Sequence, residues 1–269
     1  MIFNLSMPVL KPKGPTASLT AQSGVTYTNG ISGISAEKMS FYAELISNNA
    51  SITNKTSVVY IDDGTNHYKV SIGDQVTLSL NGTNYAFDVI GFNHDTLTTS
   101  TAYGANTKTG KAGITFQMHN LFATTYLMNS TNTNSGGWKN SDMRTSTMAT
   151  MKGYLPAAWQ TAIKPVNKVS GTGGGSTSGT EIVSDSCFLL AEIEMFGSTT
   201  YSVSGEGTQY AYYKAGNSKV KNMSGSASHW YERSPRSGYT QDFCMVSKYG
   251  DASVSNGTLH PGIAFGFCV

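Results

Sequence analysis

Charge is scarce in this sequence. Only 13% of its 269 residues are Asp, Glu, Lys or Arg, roughly half the share of about 25% usual in soluble domains. The net charge is +2, and Lys and Arg form no stripe, so nucleic acid is excluded as an expected partner. Long apolar runs are missing too. Nothing approaches the roughly 20 consecutive apolar residues of a membrane-spanning helix, so no membrane insertion is expected. Cysteine is rare: Cys187, Cys244 and Cys268 make neither a CxxC pair nor a zinc spacing. Each sits in an apolar, strand-like context and reads as a small buried hydrophobe. One bond, Cys244–Cys268, stays open, since both would lie on late strands.

Catalytic signatures are also missing. His67, His94, His119, His229 and His260 lie in no GxSxG or HExxH context. Asn93-His94-Asp95 is the most suggestive local group, because a carboxylate beside an imidazole can fix its tautomer. Its place directly after a strand favours a turn-stabilising role instead. The glycine-rich run at 172–179 lacks the Gly-Lys-Ser/Thr ending of a phosphate loop. Asp62, Asp63 and Asp242 are too sparse for calcium. No catalytic residue, metal or cofactor is expected, and the chain does not read as an enzyme.

Ser, Thr, Asn and Gly take the place of the missing charges, and these residues populate turns and strand edges. Residues 1–34, with Pro8, Pro12 and Pro15, read as an extended arm, either free or docked on a neighbouring subunit. Residues 35–54 read as one amphipathic helix and a linker. Ser35 is its N-cap, Glu37 lies in the first turn, and Met39, Tyr42, Leu45 and Ile46 share a face. Hairpins are expected at 57–72 and at 75–92, the second around Asn81-Gly82. Another strand follows at 113–122, then a loop. Helices follow from Asp142 to about Tyr154 and from Pro156 to before Pro165. The run 170–180 reads as a flexible hairpin tip, and Ser186–Gly197 as a central strand with an acidic turn. Four short elements close the chain.

The C-terminal half resembles a large family of bacterial and phage proteins known as a domain of unknown function. The matching residues are GGW at 136–138, S-x-M-R at 141–144, Leu155-Pro156, I-K-P-V at 163–166, F-L-L-x-E at 188–192, W-x-x-R-S-P at 230–235 and the closing G-I-A-F-G-F-C-V. At a greater distance the order resembles the C-type-lectin-like fold of formylglycine-generating enzymes and phage tropism determinants. Their terminal arginine is absent here, at Gly266-Phe267-Cys268, which weakens the tie to the enzyme branch. The resemblance implies an α+β fold. A C-type-lectin-like domain over residues 55–269, with mixed and antiparallel short strands and two helices, would follow the arm and the amphipathic helix. It also implies a virion surface protein, made in the bacterial host cytoplasm, that binds a host-surface glycan or protein. A start without a secretory-signal pattern agrees with that expectation. Contacts to other virion proteins through residues 1–48, and a homo-oligomer, are expected. The alternative is a purely structural virion piece.

Candidate ligand-binding residues are the polar and aromatic ones between the late framework positions: Tyr231, Arg236, Tyr239, Asp242, Tyr249, Asp251, Asn256 and His260. Tyr offers rigid contact area, and the polar residues offer adaptable hydrogen bonds. Trp138, Arg144, Glu192, Trp230 and Arg233 are expected to be structural. Glu192 is expected to pair with Arg233, because a buried charge without a partner costs several kcal/mol. Glu192 and Glu194 would share one face if they lay on a strand.

Overall fold

The computed structural model describes residues 14–99, 101–103 and 107–269. Within the expected arm lie two short strands, β1 (Thr16–Ser18) and β2 (Thr28–Asn29). Helix α1 (Ala36–Ser47) follows, with the Ser35 hydroxyl accepting the Lys38 N–H as its cap. Met39, Tyr42, Ala43 and Ile46 are buried on its inner face. Strands β3 (Val58–Asp62) and β4 (His67–Ser71) form a hairpin, and the sheet runs β1-β3-β4-β2. The arm expectation is therefore corrected for residues 14–34. Ala17 is buried opposite Ile61, and β1 and β2 cover both edges of the hairpin, which would otherwise expose unpaired backbone groups. Residues 1–13 lie outside the described part of the chain.

A second sheet holds the centre. Strands β5 (Gln75–Leu80) and β6 (Thr83–Phe92) meet at Asn81-Gly82, both with positive φ, 47° and 85°. That pair is the hairpin signature expected of such a turn. Strand β7 (Ile114–Met118) pairs with β6. Then come α2 (Gly137–Asn140), a π-helical turn (Met143–Thr147), α3 (Met148–Tyr154) and α4 (Ala157–Ala162). A ribbon of β8 (Val166–Gly171) and β9 (Thr180–Asp185) carries the glycine-rich tip. The expected central strand at 186–197 shrinks to β10 (Cys187–Phe188) and then turns into helix α5 (Glu192–Phe196). The Glu194 carboxylate accepts the Ala191 N–H at the helix start, and Gly197 ends the helix at φ 73°.

Helix α6 (Ala211–Lys214) leads to a hairpin of β11 (Lys221–Met223) and β12 (Ser226–Ser228). The sheet β13 (Trp230–Pro235), β14 (Asp242–Val246) and β15 (Ala252–Asn256) follows. The last strand, β16 (Gly266–Cys268), returns between β10 and β7 in the order β10-β16-β7-β6-β5. The chain is thus mixed α+β, built of small, mostly antiparallel sheets with few helices. One hydrophobic core runs from Ala17 to Val269. Its centre is aromatic: Phe267 lies 5.4 Å from Phe116 and from Phe87, and Trp159 stands edge-on to Phe116. All three cysteines are buried and free, so the open Cys244–Cys268 bond is not formed.

Candidate functional site

Strand β13 carries Arg233 into a fully buried ion network. Its guanidinium grips the Glu194 carboxylate with two N–H donors, at 2.6 and 3.0 Å. It also donates to the carbonyls of Val169, Leu189 and Glu206. The expected Glu192–Arg233 pair is corrected: the partner is Glu194. On helix α5 the two carboxylates diverge, and Glu192 instead accepts the backbone N–H groups of Tyr201 and Ser202. Glu192 thus pins the loop after the helix. Lys168 extends the network, its ammonium donating to Glu194 and to Asp95 at 2.8 Å each. Burial works to raise the Asp95 carboxyl, but the Lys168 ammonium, His94 and the Thr115 hydroxyl together hold the group below its usual range.

His94, Asp95 and Glu194 bring possible ligand atoms within 4.8 Å of one another, the one such group among the described residues. A cation already sits there, because the Lys168 ammonium bridges both carboxylates. The residues therefore do not fit a metal ion. His94 stacks on Tyr210 at 3.8 Å, and burial pushes its imidazole down, toward the neutral form. Asn93 adopts φ 43° and donates to the carbonyls of Ile46 and Ile52, so within the Asn-His-Asp group the turn role falls to Asn93. Trp138 and Arg144, the last residues of the GGW and S-x-M-R segments, both donate to buried Asp185 at 2.7 Å. Gly137 has φ 54°, and a Cβ there would lie 2.0 Å from the Gly171 carbonyl oxygen. Glycine at 137 is required by that close approach.

The eight expected ligand residues do not form one surface. Tyr231 is corrected from exposed to fully buried: its hydroxyl donates to the carbonyls of Asn256 and Leu259, tying down the loop that covers it. The Asn256 side chain accepts from the backbone and hydroxyl of Thr258 and shapes a turn. Tyr249, 73% exposed, and Asp251 lie at the tip joining β14 to β15. That tip is about 15 Å along the strands from Asp242, by strand rise. His260 is exposed and stands between two clefts, one with Tyr126 and Asp142, the other with His229 and Met245.

Three of the eight do converge. Arg236 donates to Asp242 at 2.8 Å and lies 3.4 Å from the centre of the Tyr239 ring. Tyr239 is 49% exposed. The loop that carries it is fixed from outside. Asn134 donates to the carbonyls of Tyr239 and Asp242, Gly175 N–H to Tyr239, and Gly238 N–H to Ser176. Ser237 N–H donates to the Tyr201 carbonyl. The tip at 172–179, expected to be flexible, is thus the second wall of this platform. Asn134 and Tyr201 were missed because their roles depend on segments about 40 to 100 residues apart in sequence.

Residues 113–268 match the model of a family described as a domain of unknown function, DUF6273. No curated protein and no solved structure matches the chain.

Proposed function

We propose a binding role for this chain, which belongs to the DUF6273 family of domains of unknown function. On this reading it is a non-enzymatic surface module of a bacteriophage particle, with a C-type-lectin-like scaffold, that binds a glycan or protein of the host surface. The observation that carries it is the Tyr239–Arg236–Asp242 platform. An aromatic face is half exposed, backed by a guanidinium at 3.4 Å, and that guanidinium is held by a carboxylate at 2.8 Å. A fixed aromatic plane beside fixed donors and acceptors suits stacking on a sugar or anchoring at a protein contact. Ordering such a loop beforehand lowers the entropic cost of binding. The buried ionisable groups support the same reading. Asp95, Lys168, Glu194 and Arg233 pair with one another in the core and are buried.

The competing reading is a purely structural virion component that docks through residues 1–48. It has less support, because residues 14–48 lie on the chain's own sheet and core. Glycan-array and whole-cell binding test the proposal. The full chain should bind a host envelope fraction, and Tyr239→Ala should weaken that binding roughly tenfold, the scale of losing one aromatic anchor. Absence of binding to every envelope fraction would overturn it.

A further inference from the structure

A cleft of about 410 Å³ opens between the π-helical turn with helix α3 and the join of β9 to β10. Its walls include Arg144, Lys152, Ser184 and Ser186, with Met148 and Cys187 at its apolar side. Two cations face one carboxylate here. Asp185 is the carboxylate, and it is buried and already shared between Arg144 and Trp138. Arg144 has five N–H donors. Three are taken, by Asp185, the Lys139 carbonyl and the Ser184 carbonyl, so each terminal nitrogen keeps one free. These bonds fix the guanidinium plane. Lys152 has a single long contact, 3.4 Å to the Ser186 hydroxyl, and no carboxylate partner among the described residues. The nearby acid, Glu181, is paired with Lys139 at 3.1 Å. Counting Arg144 and Lys152 against Asp185 leaves the cleft with one uncompensated positive charge.

We infer that this cleft binds an oxyanion, a carboxylate, sulfate or phosphate group carried on a saccharide. A planar guanidinium with parallel donors matches two oxyanion oxygens, and a flexible ammonium adds a point charge. The Ser186 hydroxyl, which holds only the long contact from Lys152, suits a neighbouring sugar hydroxyl. Covalent chemistry at the floor is disfavoured. Burial pushes the Cys187 thiol up to about 12, against the pull of the Lys152 ammonium, so it stays protonated. The saccharide part rests on the binding function proposed above; the oxyanion part does not.

The test titrates the full chain with glucuronate, sulfate and phosphate against chloride at matched ionic strength, following backbone amide resonances. Saturable shifts are expected at 144–152 and 184–187, and Lys152→Gln should weaken them roughly tenfold, the scale of one charge-assisted hydrogen bond. Lys152 is on the surface, so this variant should fold. Lys214→Gln removes an exposed cation that does not line the cleft and should leave the affinity unchanged. Shifts that never saturate, or equal affinity in Lys152→Gln, would overturn the inference. A parallel arm compares uronic-acid, sulfated, phosphorylated and neutral forms of one oligosaccharide. Equal binding of acidic and neutral forms, unaffected by Lys152→Gln, sinks the oxyanion site and leaves the binding function standing. Oxyanions titrating at the cleft while every oligosaccharide fails gives the reverse.

Discussion

Glu232 is the outlying residue of this core. It sits between Tyr231 and Arg233 on β13 with both carboxylate oxygens buried and without a hydrogen-bond partner among the described residues. The pairing of β13 with β14 slips between Tyr231 and Pro235, and that irregularity surrounds Glu232. Burial, then the like charges of Glu192 and Glu206, raise its carboxyl well above the usual range. It therefore stays protonated in the folded chain and ionises in the unfolded one above about pH 4.3. A raised acid stabilises fully below the unfolded value, and that contribution is lost as pH climbs toward the folded one. Glu206, also raised by burial, acts in the same direction. Glu232→Leu should thus stabilise the chain at pH 7 by about 1–3 kcal/mol, the cost of an unsatisfied buried polar group. Its gain should be smaller at pH 4.5. Urea unfolding at the two pH values measures both. A lower midpoint for Glu232→Leu at pH 7 would mean that the carboxyl has a partner after all. The same strand explains why Tyr231 misled as a candidate ligand residue. Both faces of β13 are covered, all six of its residues being buried, so parity along the strand says nothing of exposure. Glu192 misled for a related reason: two carboxylates two apart share a face on a strand and diverge on a helix.

Among the elements, those with local signals were legible. Helix α1 has its Ser cap, its acidic first turn and its apolar stripe, and it starts directly after the expected Ser35 cap. The Asn81-Gly82 hairpin and the stop before Pro165 are equally local. Strands β1 and β2 were not legible, because three and two residues carry no periodicity and form only against edges supplied by β3 and β4. The packing of α1 was hidden as well. Its Ala43 carbonyl presses on Gly113, where a Cβ would fall 2.0 Å from the oxygen. Gly113 is not a positive-φ glycine, so close approach alone accounts for it. Gly113→Ala must push α1 off the sheet or shift β7, and overpacking of this kind costs typically about 1–3 kcal/mol. Thermal unfolding should show the loss, and hydrogen exchange should show it first in α1. Unchanged protection of residues 36–47 would mean that the helix is not seated on this contact.

At the scale of the whole molecule, the family match and the folding unit do not coincide. The match begins at residue 113, at the mouth of β7. Yet β7 has β6 on its other side, and β6 lies wholly before the match. Phe87 on β6 packs against Phe265 and Phe267, the two aromatics of the terminal segment. Asp95 supplies one of the two carboxylates that hold Lys168, and α1 closes the core over Gly113. A chain of residues 113–269 would lose one flank of its central sheet and expose Phe116 and Phe267. It would also lose one of the two carboxylates that hold a buried ammonium. Breaking a buried ion pair by removing one partner costs about 3–5 kcal/mol, a large part of the roughly 5–15 kcal/mol that holds an ordinary domain. Residues 113–269 alone should therefore show no cooperative thermal transition and poor amide dispersion, whereas residues 14–269 should unfold in one step. Adding residues 14–112 in trans should restore part of the dispersion, because the missing strands and helix pair with surfaces already present. A sharp, reversible transition for residues 113–269 alone would show instead that the first third of the chain is an addition to a core that stands without it.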